Sequence, residues 1–179
     1  MRRRLTLLIP AVLLSALSIF HAAPAGAQAA NVRVGGFLGR EFDFEEDWLI
    51  FGAEARLRGS RMQFDVQPRF HYQSFDGGSA LQLDGNLLFN LTAPISQIVP
   101  YMGVGLAINR VSFDVPDTPG IEVDDEDTNF GLNIVSGLIF GTNPKWRPYA
   151  QFQYTSLLDF GNGANLTLGI LFQLTGRFR

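Results

Sequence analysis

The stretch LTLGILFQLTGRF, residues 166–178, alternates between two kinds of side chain. Its even-numbered positions carry leucine, isoleucine or phenylalanine, apart from Gly176, and end on Phe178. Its odd-numbered positions are mostly threonine, glycine, glutamine and arginine. Because successive side chains of a β-strand point to opposite faces, we predict that this segment is a strand with one apolar face and one polar face.

Seven earlier segments show the same period of two and are also predicted to be strands. They cover residues 32–38, 49–57, 62–72, 81–91, 100–108, 130–140 and 146–154. None has the period of an amphipathic helix, and eight is an even number of strands, as single-chain bacterial barrels require. We therefore expect an all-β fold, an eight-stranded antiparallel transmembrane β-barrel with its strands in an up-and-down meander.

Prolines interrupt three of the predicted strands, and proline cannot donate to the hydrogen-bond ladder of a sheet. Pro100 and Pro148 lie at strand starts, where proline is tolerated. Pro68 lies in the middle of the third strand, so we expect a β-bulge at this position.

The acidic residues separate the connections between strands into two groups. Fourteen of the seventeen acidic residues fall in four alternate connections, residues 41–47, 73–79, 112–127 and 157–163. The other connections, near residues 58–61, 92–98 and 141–145, carry no acid, and basic residues cluster beside them. Outer-membrane barrels have long loops outside the cell and short turns in the periplasm. We expect the acidic end to be extracellular and to carry the longer loops.

The first thirty residues have the three-part layout of a secretory signal peptide. Three arginines at residues 2–4 precede an apolar run over residues 5–20, and small residues follow over residues 22–30. A permanent helical anchor is the alternative interpretation, but a run of sixteen residues is short for a helix that spans a bilayer.

Signal peptidase needs small side chains at the first and third positions before the cut, which fits cleavage after Ala27 or after Ala29. We predict that residues 1–27 are the signal peptide and that residues 31–179 form the outer-membrane β-barrel domain. Removal of the signal leaves eleven basic residues against seventeen acidic residues, which argues against nucleic acid as a partner. The chain has no cysteine, so neither disulfides nor a thiolate metal site contributes to its stability.

The polar strand faces are predicted to point into the lumen, which in an eight-stranded barrel is filled by side chains or holds one small ligand. The larger inward residues are Arg33, Glu54, Arg56, Gln63, Asp65, Gln67, Arg69, His71, Gln82, Asp84, Asn86, Asn133, Gln151 and Gln153. Because the set mixes both charge signs with amides, its members can satisfy one another, and we interpret it as a structural polar core. A narrow pore is the alternative: seven inward glycines, at 35, 52, 103, 105, 131, 137 and 169, could either ease strand coiling or leave space.

Two groups of residues are candidate chemical sites, and each also has an ordinary structural interpretation. His71, with Ser74 and Asp76 nearby, has the residue types of a serine hydrolase, but the spacing is generic and a lumen role for the histidine is favoured. The acidic connection from Ser112 to Asp127 could bind calcium, although the EF-hand pattern is absent and a solvated loop is the simpler interpretation. We assign no catalytic, cofactor-binding or metal-binding residue and expect no enzymatic activity.

Two local motifs resemble a known family. The segment PYMGVGLA, residues 100–107, is similar to a Pro-Tyr-x-Gly-x-Gly strand of the small OmpA-like and OmpX-like outer-membrane barrels, also called opacity-type or porin-family β-barrel domains. The segment RPYAQFQY, residues 147–154, and the closing strand that ends near Phe178 also resemble this family, although Arg179 follows the phenylalanine. The resemblance covers the chain after the signal and implies recognition by the barrel-assembly machinery.

The sequence thus predicts a non-enzymatic integral protein of the bacterial outer membrane, with a structural role in the envelope or a role in surface interaction. Its expected partners are outer-membrane lipid and lipopolysaccharide, and no cofactor is expected. The alternatives are a narrow porin-like channel for small solutes, a lipid-modifying outer-membrane enzyme and a soluble secreted barrel that binds a ligand.

Overall fold

The computed structural model describes residues 31–42, 47–58, 63–75, 77–92, 96–113, 126–158 and 161–174. These residues form eight strands: β1 (Asn31–Phe42), β2 (Asp47–Arg58), β3 (Phe64–Phe75), β4 (Gly78–Asn90), β5 (Ile98–Phe113), β6 (Glu126–Phe140), β7 (Trp146–Leu157) and β8 (Gly161–Leu174). The predicted signal peptide and the terminal Phe178 lie outside the described residues. No helix long and apolar enough to cross a membrane occurs in the part of the chain that is described.

Each strand pairs antiparallel with the next one along the chain, and β8 pairs with β1 to close the barrel. Following the register pairs from Val32 once around the barrel leads to Phe42 on the same strand. This displacement along β1 is the shear number, ten residues, and for eight strands it corresponds to a strand tilt of about 40°. The predicted eight-stranded meander is confirmed.

The two faces of the sheet differ sharply in exposure and polarity. Outward leucine, isoleucine and phenylalanine side chains cover the middle of the barrel, and Leu38, Leu106 and Ile134 are each more than 60% exposed. The inward face alternates with them and holds buried polar side chains, together with a smaller set of buried aliphatic and aromatic residues. The apolar face therefore points away from the lumen, as predicted for a membrane barrel and opposite to a soluble ligand-binding barrel.

The expected bulge at Pro68 is absent. Pro68 pairs with Gly85 on β4, and the register between these strands is constant on both sides of the proline. On the other side of β3 the pairing to β2 lapses beside Pro68 and resumes at Leu57 with Val66 in the same register. The missing donor is therefore accommodated by a local gap in one ladder, with no inserted residue.

The expectation of long acidic loops is correct for one connection only. The connection between β5 and β6, residues 114–125, is long in sequence, but residues 76–77 and 158–160 are short connections. At the first of these, Gly77 has a φ of 86°, which glycine adopts without strain. Strand pairing here continues beyond the predicted strand end at residue 72, up to Phe75 with Gly78, because backbone hydrogen bonds form whatever the polarity of the side chain.

Candidate functional site

The lumen is the candidate site, because the larger polar side chains of the strands are predicted to point into it. Twelve of the fourteen predicted lumen residues are buried, and Arg33 is half-buried near the basic end. Gln63 is the exception: it is exposed and precedes the first residue of β3, so it belongs to a connection and its predicted inward position is wrong. Alternation thus identified the lumen face, and the error occurred where a strand ends.

Glu54 is the central acceptor of the lower half of the lumen, nearer the basic end. Its carboxylate accepts hydrogen bonds from Arg56 Nε at 2.8 Å, Gln67 Nε2 at 2.8 Å and the Tyr149 hydroxyl at 2.8 Å. Because these donors come from β2, β3 and β7, one buried charge ties together opposite walls of the barrel. A carboxylate with three donors, one of them cationic, has replaced the hydration that it loses on burial.

Arg56 lies between two tyrosine rings. Its guanidinium carbon is 4.4 Å from the centre of the Tyr101 ring and 4.9 Å from that of Tyr149, and its Nη2 donates to the Tyr101 hydroxyl at 2.9 Å. Cation–π contact and the ion pair with Glu54 together compensate the buried positive charge. Neither tyrosine is among the predicted lumen residues.

Two lumen glycines make room for these rings. A Cβ added at Gly137 would overlap the Tyr101 ring, and a Cβ added at Gly169 would overlap the Tyr149 ring. Both glycines are predicted to face inward, where they could either ease strand coiling or leave space for a pore. The structure shows that the space at these two positions is filled by tyrosine.

We expect Gly137→Ala to lower the free energy of unfolding by about 1–3 kcal/mol, since the new methyl group meets both the Tyr101 ring and a backbone oxygen. Urea unfolding of the barrel in lipid vesicles, followed by tryptophan fluorescence, measures the change. Gly85→Ala is the matched control, because a Cβ there has nothing within 4 Å and its expected change is below about 0.5 kcal/mol. Equal losses for both variants would contradict the close packing at Gly137.

Asp84 is the acceptor of the upper half of the lumen, nearer the acidic end. It accepts from Gln82 Nε2 at 2.7 Å, Asn133 Nδ2 at 2.9 Å and Gln153 Nε2 at 3.2 Å. The Nδ1 atom of His71 lies 3.7 Å from the carboxylate. Asp84 therefore also has three side-chain donors, as Glu54 has, but all three are amides, with neither an arginine nor a tyrosine among them.

Arg69 joins the upper half of the network to the opposite wall. It donates to Gln153 Oε1 at 2.9 Å and to Thr167 Oγ1 at 3.2 Å, and its guanidinium carbon is 4.0 Å from the centre of the Phe37 ring. Phe37 in turn makes an edge contact with His71, at a centroid distance of 6.5 Å. His71 is thus enclosed by lumen side chains.

The hydrolase candidates are not brought together. His71 is 2% exposed and faces the lumen, whereas Ser74 is exposed on the outward face of the same strand. Asp76 lies outside the described residues. His71 and Ser74 therefore occupy opposite faces of the sheet, and this pair does not form a nucleophile and its base.

The calcium candidate falls mostly outside the described residues, which resume at Glu126. Asp127 is exposed, and its carboxylate accepts a hydrogen bond from the backbone of Thr128 at 2.7 Å. Within the described ranges, no group of three or more histidine, cysteine or acidic side chains is arranged to hold a metal ion. Cation binding by residues 112–127 stays an untested alternative to a solvated loop.

Aromatic side chains lie at the acidic mouth of the barrel. Trp48 contacts Phe75 at a ring-centroid distance of 5.5 Å, and Phe75 contacts Phe113 at 6.4 Å. These residues come from β2, β3 and β5 and lie on the inward-facing positions of those strands. This row of rings narrows the acidic mouth above the polar lumen.

No protein-family model matches the sequence, and no curated protein is significantly similar to it. Solved structures, in contrast, match its fold. Neisserial surface protein A superposes with a TM-score of 0.63 at 15% identity, covering 83% of this chain and 99% of that protein. The N-terminal β-barrel domain of Pseudomonas aeruginosa OprF gives a TM-score of 0.59 at 18% identity, covering 80% and 97%.

Ail, the attachment invasion locus protein of Yersinia pestis, gives a TM-score of 0.54 at 15% identity and covers 81% of this chain and 97% of its own. These neighbours are small outer-membrane barrels. The protein therefore has the fold of an eight-stranded transmembrane β-barrel, and the resemblance to the OmpA-like and OmpX-like barrels is confirmed at the level of the fold.

Proposed function

We propose that the protein resides in the bacterial outer membrane as a closed, non-conducting barrel that supports envelope structure or surface interaction, without enzymatic activity. The observation that carries this proposal is the combination of an apolar outer face with a lumen filled by hydrogen-bonded side chains. Neither feature alone would suffice, because porins share the first and soluble proteins share buried polar networks.

The outer face supports residence in a membrane. Closed barrels satisfy every backbone hydrogen bond between strands, which is a requirement for spanning lipid. The outward faces of β5 and β6 present Met102, Val104 and Leu106 beside Leu132 and Ile134, all more than half exposed. Such a continuous apolar surface is unfavourable in water but matches the hydrocarbon layer. Fold neighbours from the bacterial outer membrane support the same location.

The ends of the barrel support an orientation. Asn31 begins β1 and Leu174 ends β8 at the basic end, which in barrels with an even strand number lies in the periplasm. The acidic end would then face the outside, with the connection at residues 114–125 available for surface contacts. Arg40 and Arg110 lie on outward positions near this end, where guanidinium groups suit lipopolysaccharide phosphates.

The lumen supports a structural role. Two buried carboxylates, at Glu54 and Asp84, each accept three side-chain hydrogen bonds, and the Arg56 and Arg69 guanidinium groups bridge opposite walls. Side chains thus occupy the cross-section at two levels. Opening a water-filled path would require breaking several buried, charge-assisted hydrogen bonds.

Conductance measurement tests the closed lumen. We expect purified protein reconstituted in planar lipid bilayers to show no discrete conductance steps in potassium chloride, because the filled cross-section blocks hydrated ions. Proteoliposome flotation and the heat-dependent gel shift of the same sample verify insertion and folding. Reproducible single-channel steps from the folded protein would contradict the proposal and favour the narrow porin-like channel.

A further inference from the structure

A cavity of about 100 Å³ lies inside the barrel at its basic end. Its polar lining includes Asn31 and Arg33 on β1, Arg56 and Arg58 on β2, Asp65 on β3 and Arg147 on β7. The lining residues come from most strands of the barrel, so the cavity occupies the centre of the mouth and opens along the lumen axis. It borders the network around Glu54, to which Arg56 belongs.

Within the described ranges, four guanidinium groups and one carboxylate line this cavity. Arg58 donates to Asp65, and Arg56 is paired with Glu54 deeper in the lumen. Arg33 donates its Nε hydrogen to the neutral amide oxygen of Gln173 at 3.1 Å, and among the described residues it has no carboxylate within ion-pair distance. The cavity therefore carries a local excess of positive charge, in a setting where partial burial weakens solvent screening.

A second observation concerns Arg56 itself. Its side chain is 2% exposed, its Nε donates to Glu54 and its Nη2 donates to the Tyr101 hydroxyl. Its Nη1 atom is buried and has no hydrogen-bond partner among the described residues. Buried donors are almost always satisfied in native proteins, and the unfilled donor of a charged group is especially unfavourable. Arg56 also lines the adjoining cavity, and because Nη1 is itself buried, an acceptor there would reach it after a small rotation of the side chain.

We propose that this cavity binds a small soluble oxyanion of the phosphate class. The Arg33 guanidinium would donate to its oxygens, Arg56 Nη1 would do so after a small rotation of its side chain, and Asn31 would lie at the entrance. Guanidinium groups present paired donors that match phosphate oxygens, and several of them here converge on one enclosed space. The ligand is a free anion rather than a lipid headgroup, because the lining residues face the lumen and lipid contacts only the outward face.

The test is a titration of inorganic phosphate into protein purified in a non-ionic, phosphate-free detergent. Binding is followed by the ¹H–¹⁵N signals of the arginine Nε groups, assigned by substitution. We expect saturable shifts of the Arg33 and Arg56 signals, and about tenfold weaker affinity for Arg33→Gln, equivalent to ~1.4 kcal/mol. Lys145→Gln is the matched control, because it removes a positive charge from an exposed turn at the same end without lining the cavity.

A second variant covers the case in which Arg33→Gln fails to fold. Asn31→Asp adds a carboxylate at the exposed first residue of β1, so it repels an anion without removing a lumen contact, and we again expect about tenfold weaker binding. Absence of saturable shifts in the wild type would overturn the proposal. It would be overturned equally if Lys145→Gln weakened binding as much as the two cavity variants, since the effect would then reflect net charge alone.

Discussion

Replacing Glu54 with leucine is expected to lower the free energy of unfolding by about 3–5 kcal/mol, which is the cost of leaving a buried charge without its partner. The substitution removes the acceptor of Arg56, Gln67 and Tyr149, all within 2.8 Å of the carboxylate. Among the described residues, Arg56 would then be a buried cation compensated only by the two tyrosine rings, the Tyr101 hydroxyl and one weaker amide contact. Urea unfolding in lipid vesicles measures the loss.

The double variant Glu54→Leu with Arg56→Leu separates loss of the pair from loss of packing. Because it removes both charges, we expect it to be more stable than the single Glu54→Leu variant by at least about 1 kcal/mol. Ser136→Ala, on the outward face of β6, is a control that should change stability by less than about 0.5 kcal/mol. A double variant that loses the sum of two large single effects would contradict the pairing.

The second large effect is expected on the outer face, at Ile134. This residue is 62% exposed near the middle of β6, where it pairs with Val104 of β5. An arginine at the bilayer midplane lowers barrel stability by about 2–4 kcal/mol, whereas an arginine near the interface changes it by about 0–1 kcal/mol. We expect Ile134→Arg to fall in the first range when unfolding is measured in vesicles.

Thr128→Arg is the matched control for this prediction. Thr128 is an exposed residue on the same strand and the same face, six positions closer to the acidic end, and it pairs with Arg110. We expect its effect to be within about 1 kcal/mol, since the new charge can reach the aqueous boundary. If both substitutions were equally tolerated, the outward face would be in water and the membrane assignment would be wrong.

Alternation was sufficient to predict the eight strands and, apart from Gln63 at a strand end, the face on which the predicted lumen residues lie. In β3, for example, Asp65, Gln67, Arg69 and His71 were predicted to face inward and are all buried. The same rule could have found Tyr101 and Tyr149, because Tyr101 lies on the same inward face of β5 as Gly103 and Tyr149 lies on the same inward face of β7 as Gln151. Aromatic character obscured them, but a phenol hydroxyl allows a tyrosine ring to end in a polar network.

Which lumen side chains meet could not be predicted, because alternation does not determine register. A shift of two residues between neighbouring strands keeps every side chain on its face, yet it changes each contact across the lumen. The bond from Arg56 to Tyr101, 45 residues apart, depends on the shear of the whole barrel. Strand length is also hard to predict. Strand β3 extends beyond its predicted end at residue 72 up to Phe75, and the alternation of apolar and polar residues does not indicate this extension.

The most direct test of the central claim is gel mobility of the protein in isolated outer membranes, with and without boiling. A closed transmembrane barrel resists detergent unless heated, so we predict that the protein is found in the outer-membrane fraction and changes mobility after boiling. Its intact mass would also test the predicted cleavage after Ala27 or Ala29. A protein found in the soluble periplasmic fraction, with the same mobility before and after boiling, would contradict the account.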